Sequence, residues 1–204
     1  MKLIGYGEDA LTLWALRSRL TDILRGVGDA TSPRHCKVFF RPSFGRRGGP
    51  HSSQFGECDF AVVTRGTVYL GESKWHRSTE DISNGQITIR PEQIKRHEIL
   101  SLYIERWCSG EYEDWPVFVK ANKATFVQHH KPIAPIGSLL AENLREFLGQ
   151  IKWHLAQKPP LIRNILVYFY ASSGDTLPDR SSGDFSVICL DYSARRVGNF
   201  IEIE

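Results

Sequence analysis

The sequence lacks an apolar run long enough to cross a bilayer. Its longest, Ile165 to Ala171, falls far short of the roughly 20 residues that a spanning helix needs. The opening residues, Met1 to Glu8, lack the apolar core of a secretory signal, so the chain reads as cytoplasmic with no membrane partner. None of its four cysteines (Cys36, Cys58, Cys108 and Cys189) stands in a CxxC spacing, and none pairs with histidine at zinc-finger spacing. That excludes a disulfide framework and a structural zinc site, and four buried thiols are expected. Repeats, low-complexity tracts and domain linkers are missing too. Nor does one sign of charge dominate: 26 Lys and Arg against 23 Asp and Glu leave only +3, too little to argue for nucleic-acid binding by itself. What is there is a globular composition, 41% hydrophobic and 24% charged over 204 residues. Residues 1–204 are expected to form one domain with its own buried core.

Charge says more by position than in total. Residues 31–56 carry Arg34, Lys37, Arg41, Arg46 and Arg47 with no acid, a stretch suited either to facing phosphates or to forming a solvated loop. Leu13, Leu16, Leu20, Ile23 and Leu24 fall on one helical stripe, with Glu8 and Asp9 in its opening turn and glycines at its end, which predicts a helix over 8–25. Strand-like runs follow at 36–41, 57–63 and 68–75, the last two joined by a turn at Arg65-Gly66. Pro91 opens a helix whose one face carries Gln93, His97, Leu100, Ile104 and Trp107. Val117 to Val127 reads as a strand, 140–155 as a helix, and 164–171 and 185–191 as strands. The order implies an α/β domain around a mixed central sheet.

The hairpin carries the chemistry. With Arg65-Gly66 as a two-residue loop, cross-strand partners have numbers summing to 131, so Asp59 faces Glu72 and Glu57 faces Lys74, all projecting from one side. Opposed Cβ atoms lie about 5 Å apart. Two carboxylates that close repel unless one is protonated, a cation lies between them, or they splay toward water. A hard divalent cation suits oxygen ligands of this kind. Lys74, on the same face, is placed to meet a phosphate or an attacking water.

On these residues, Asp59 followed thirteen positions later by Glu72-Ser73-Lys74 across a hairpin, the sequence resembles the PD-(D/E)xK nuclease superfamily. The resemblance runs from the first helix through the helix after the motif, about residues 5–108. It implies a restriction-endonuclease-like fold, with a mixed central sheet flanked by helices and a C-terminal α/β extension. It also implies Mg2+- or Mn2+-dependent hydrolysis of nucleic acid, DNA foremost. Asp59, Glu72 and the Ser73 carbonyl would be metal ligands, and Lys74 would orient or activate the hydrolytic water. Glu8 matches an acidic residue on the first helix that adds a metal or water ligand, and Gln93 a polar position on the later helix. Cys58 stands where the motif has proline. On this reading Arg41, Arg46, Arg47 and His51 lie over the nucleic-acid backbone, extended by His76 and Arg77. Pairing of two chains as a homodimer is left open. Two rivals are a non-catalytic DNA-binding or scaffolding module on the same fold, and a cysteine-dependent enzyme using Cys58, or Cys36 with His35. Against the latter, alternation points Cys58 away from the charged face.

Overall fold

The computed structural model describes residues 3–42, 57–76, 82–112, 114–156, 158–171 and 176–203. In chain order its elements begin with β1 (Leu3–Gly5), α1 (Gly7–Ser18), α2 (Leu20–Gly26), β2 (Lys37–Phe40), β3 (Phe60–Val63) and β4 (Thr67–Trp75). The short strands β5 (Ile82–Ser83) and β6 (Gln86–Ile87) precede three helices, α3 (Pro91–Ser109), α4 (Trp115–Gln128) and α5 (Leu139–His154). The remainder is β7 (Leu161–Tyr170), β8 (Arg180–Ser181), β9 (Phe185–Asp191), β10 (Arg196–Val197) and β11 (Phe200–Ile203).

A five-stranded mixed sheet, in the order β2-β3-β4-β7-β9, forms the centre. β2, β3 and β4 make an antiparallel meander, while β7 runs parallel to β4 and β9 parallel to β7. A parallel return needs a long crossover, which α3, α4 and α5 supply between β4 and β7. Alternation along the strands divides the core. Ala61, Val63, Val68 and Leu70 pack with α3 and α5 through Leu100, Tyr103, Ile104, Leu144 and Leu148. Phe60, Val62 and Tyr69 pack the other way, onto Leu11, Trp14, Ala15, Ile23 and Leu24 of α1 and α2. Helices on both sides leave the inner strands without a wet face, so their middles are apolar runs, Phe60–Val63, Val68–Leu70 and Ile165–Phe169, and the charges of β4 stand beyond its run.

Four expectations need correction. Residues 117–127 are helical, in α4: Asp114 caps it by accepting the Val117 N–H at 2.9 Å, Pro116 sits in its first turn, and Phe118, Asn122 and Phe126 share the buried face. That four-residue spacing outweighs the β-leaning Val117-Phe118-Val119 run. The first helix is broken at Arg19, whose φ of −126° leaves the helical range and whose guanidinium pairs with Asp22 and lies over the Trp14 ring. The C-terminal elements are not an appended extension, because β7 and β9 complete the central sheet. Finally, only Cys58 and Cys108 are buried; Cys36 and Cys189 are half-exposed. Two further three-stranded sheets, β1-β11-β10 and β5-β6-β8, had no legible signal. Among the described residues, no helix is long and apolar enough to cross a membrane.

Candidate active site

The hairpin register is the expected one, running from Val63 opposite Val68 to Phe60 opposite Gly71. Its turn closes with the Thr64 N–H on the Thr67 carbonyl at 2.9 Å. Regular pairing ends at Asp59. There the backbone N–H donates to the Gly71 carbonyl at 3.1 Å, and the carboxylate accepts the Ser73 N–H at 2.7 Å. Side-chain alternation ends with the ladder. Cys58 therefore does not point away from the charged face but packs beside Ala61, Val63 and Leu70, fully buried. Burial, reinforced by the charges of Glu72 and Asp59, drives its thiol far above the ordinary range. Burial and Asp29 raise the Cys36 thiol as well. Thiolate chemistry is disfavoured at both.

Glu72 is 1% exposed and yet fully partnered. Its Oε2 accepts from Gln93 Nε2 at 2.5 Å, its Oε1 lies 3.0 Å from His97 Nε2, and Arg96 Nη2 stands 3.8 Å from the same oxygen. Gln93 also bridges backward, accepting the Arg90 N–H at 3.3 Å at the start of α3. His97 is held on its other side by Asn164 of β7, with Nδ1 2.9 Å from Oδ1. A buried carboxylate needs such company, since desolvating it without partners costs several kcal/mol or more (about). Sequence reasoning gave His97 no role. Its place four residues after Gln93, on the same helix face, was the available signal.

Asp59 shares the environment without the same support. Burial first, and then the neighbouring charge of Glu72, raise its carboxyl to about 6, partly offset by the Ser73 N–H and by Lys74. Lys74 is itself nearly buried, its Nζ 3.8 Å from Glu8 Oε1 in the first turn of α1. One turn on, Thr12 Oγ1 lies 2.8 Å from the Glu8 carbonyl and 2.7 Å from Ser73 Oγ, which pins α1 to β4 beside the acids. Five expected residues, Glu8, Asp59, Glu72, Lys74 and Gln93, thus meet at one end of the hairpin, and Ser73 bridges to α1.

The expected nucleic-acid contacts are distributed differently. Arg41 lies at the rim of this site, where its guanidinium pairs with Asp9 and with Glu57 Oε2, the latter at 2.8 Å, instead of standing open to phosphate. The hydrogen bond that Arg41 donates to Glu57 and the charge of Asp9 raise its pKa further. Glu57, expected opposite Lys74, is thereby a partner of Arg41. His76 follows β4 with Nδ1 3.2 Å from the Tyr192 hydroxyl. Arg46, Arg47, His51 and Arg77 lie outside the described residues.

Among the described residues, no group of three or more His, Cys, Asp or Glu is arranged as a metal site. In kind, the Asp59 and Glu72 carboxylates suit a hard divalent cation, which would relieve both the burial and the mutual repulsion that raise the Asp59 carboxyl. Two carboxylates are an ordinary protein contribution to magnesium, whose other positions go to water and substrate oxygens. No protein-family model matches this chain, and neither a curated protein nor a solved structure does.

Proposed function

We propose that the protein is a divalent-metal-dependent nuclease of the restriction-endonuclease-like class, hydrolysing phosphodiester bonds of nucleic acid, DNA foremost. The observation that carries this reading is the juxtaposition of Asp59 and Glu72 across the hairpin, with Lys74 at the same end. Asp59 and Glu72, with the Ser73 carbonyl, would hold Mg2+ or Mn2+. When bound, the cation would neutralise the pair and supply Lewis acidity toward a phosphate. The chain's own residues do the rest. Gln93 and His97 fix the Glu72 carboxylate so that its direction does not depend on the ligand. The Ser73 N–H orients Asp59. Lys74 keeps an ammonium beside the acids, where it offsets negative charge that develops on a phosphate under attack by water. Glu8 holds that ammonium in place. The mixed sheet with helices on both faces is the architecture the resemblance implies.

A second reading, a non-catalytic nucleic-acid-binding module, is favoured by one observation: both oxygens of Glu72 are already engaged by α3. Incubating supercoiled plasmid, single-stranded DNA and RNA with Mg2+, Mn2+ or EDTA separates the two. Cleavage is expected only with metal, and Lys74→Ala or Asp59→Asn is expected to lower its rate about 100-fold or more. Cleavage that survives both EDTA and Lys74→Ala overturns the mechanism. Nucleic-acid binding without any cleavage establishes the second reading.

A further inference from the structure

The other end of the hairpin carries a feature that the proposed hydrolysis does not use. Trp153, in the last turn of α5, is 76% exposed, a larger fraction than any other large apolar side chain among the described residues. It lies off the buried stripe of its helix, formed by Ala141, Leu144, Phe147, Leu148 and Ile151. Trp14, Trp107 and Trp115 are buried, so this ring stands out in water for lack of any core contact.

One cation lies over it, and a basic cavity adjoins the helix end that carries it. Lys37 Nζ, at the start of the edge strand β2, sits 5.7 Å from the ring centroid, steadied at 2.7 Å by Gln150 Oε1. His154 Nε2 reaches the His35 carbonyl at 3.0 Å, tying the helix end to the turn before β2. Arg34 and His35 from that turn, together with Arg65 from the hairpin loop, line one open cavity. The acid on this cavity, Asp29, is occupied by the Thr31 N–H at 2.8 Å and the Tyr69 hydroxyl at 3.0 Å. Two permanent cations, Arg34 and Arg65, therefore line this cavity with one internally satisfied carboxylate, and Lys37 stands at the ring three residues after Arg34. The basic run of the sequence is thus split, with Arg41 turned to the acids at the far end of β2 and Arg34 and Lys37 gathered here.

A flat, exposed ring beside a cation and a basic cavity complements a flat ring between anions. In a duplex, both faces of a base are already covered by its neighbours. In a single strand they are free, and phosphates flank each base. A protein partner would ask instead for a broader apolar patch around the tryptophan. We propose that Trp153, with Lys37, Arg34 and Arg65, is a stacking platform for an unpaired base of single-stranded nucleic acid, the cations taking the adjoining phosphates. The platform shares a ligand class with the proposed hydrolysis but none of its residues. The edge strand β2 joins the two places, starting at Lys37 and reaching Arg41, whose N–H binds the Asp59 carbonyl at 2.8 Å.

The test is fluorescence anisotropy of labelled oligo(dT), oligo(rU) and a duplex of the same length, in EDTA so that no metal-dependent hydrolysis runs. Trp153→Ala is expected to weaken single-strand binding at least about five-fold, Trp153→Phe to restore it to within about two-fold, and duplex binding to move less than about two-fold. Lys37→Ala is expected to lower the slope of log affinity against log salt by about 0.7. A preference between oligo(dT) and oligo(rU) tells DNA from RNA as the source of the base. Thermal melting checks that Trp153→Ala is folded. Single-strand binding that is absent in the wild type, unchanged in Trp153→Ala, or lost equally on duplex overturns the platform. Because the measurement excludes metal, its failure leaves the cleavage assay standing, and failure of cleavage leaves the platform standing.

Discussion

At one end of the β3–β4 hairpin, Asp59 and Glu72 share a dry pocket with Lys74, and each carboxylate is held by a donor from another part of the chain. At the other end, about 13 Å away along the strands at the usual rise per residue, Lys37 lies over an exposed indole, and Arg34 and Arg65 line the open cavity next to it. The buried end needs α1, α3, β3, β4 and β7 together, because every charge taken out of water must be given a partner. The exposed end needs only that a turn, an edge strand and a helix end lie near one another. Substitutions should therefore act on stability at the first end and on ligand affinity at the second.

The largest effect is expected from Glu72→Ala. It strands the Gln93 amide and the His97 ring without their acceptor and the Arg96 guanidinium without its nearby charge, which should cost about 3–5 kcal/mol in urea unfolding. An unchanged unfolding midpoint would show that the network contributes nothing to folding. Next, and opposite in sign, comes Asp59→Asn without metal. The folded Asp59 carboxyl titrates at about 6, against an ordinary 3.8. Between those values the unfolded chain has already lost its proton while the folded chain keeps it, so wild-type stability should fall as pH rises through this window. The deficit, about 1–3 kcal/mol, should persist above it. Asp59→Asn should remove the slope and raise Tm at about pH 8; a Tm profile parallel to that of the wild type would contradict the raised carboxyl assigned to burial and to Glu72. Gly71→Ala probes the joint between the hairpin and α1. A methyl there overlaps the Phe60 ring, and about 1–3 kcal/mol of destabilisation is expected from a denaturant melt. The smallest change should come from the exposed end, where Trp153→Ala is expected to alter unfolding free energy by less than about 0.5 kcal/mol. A larger loss would mean that the ring is structural after all.

The hairpin register was legible because turn chemistry and alternation are local rules, and they sufficed to bring Asp59 beside Glu72. The same rules failed one residue further on, at Cys58, where pairing stops and alternation no longer says which way a side chain points. Residues 117–127 misled through composition: valine and phenylalanine favour strands, yet Asp114 and Pro116 marked a helix start and the Phe118–Phe126 spacing marked its face. His97 could have been placed beside Gln93 from their four-residue spacing, but Asn164 was beyond reach as its second partner, because that meeting depends on how α3 and β7 dock, and no local pattern encodes it. Arg41 was read from its neighbours in sequence, whereas its charge answers to Asp9 and Glu57 across the fold. Trp153 could have been noticed, since it falls off the apolar stripe of an otherwise regular amphipathic helix.

The parallel pairing of β4 with β7 has a consequence for how the molecule is made. Glu72 lies beside Leu166, and Asn164, which steadies His97, belongs to the same late strand. A nascent chain can close the hairpin long before residues 161–170 leave the ribosome, but until they do, one edge of β4 is open and the buried carboxylate has only part of its escort. Assembly of the acid pocket is thus deferred until β7 has emerged, and a ribosome that stalls before that point would present an unprotected strand edge with a charge beside it.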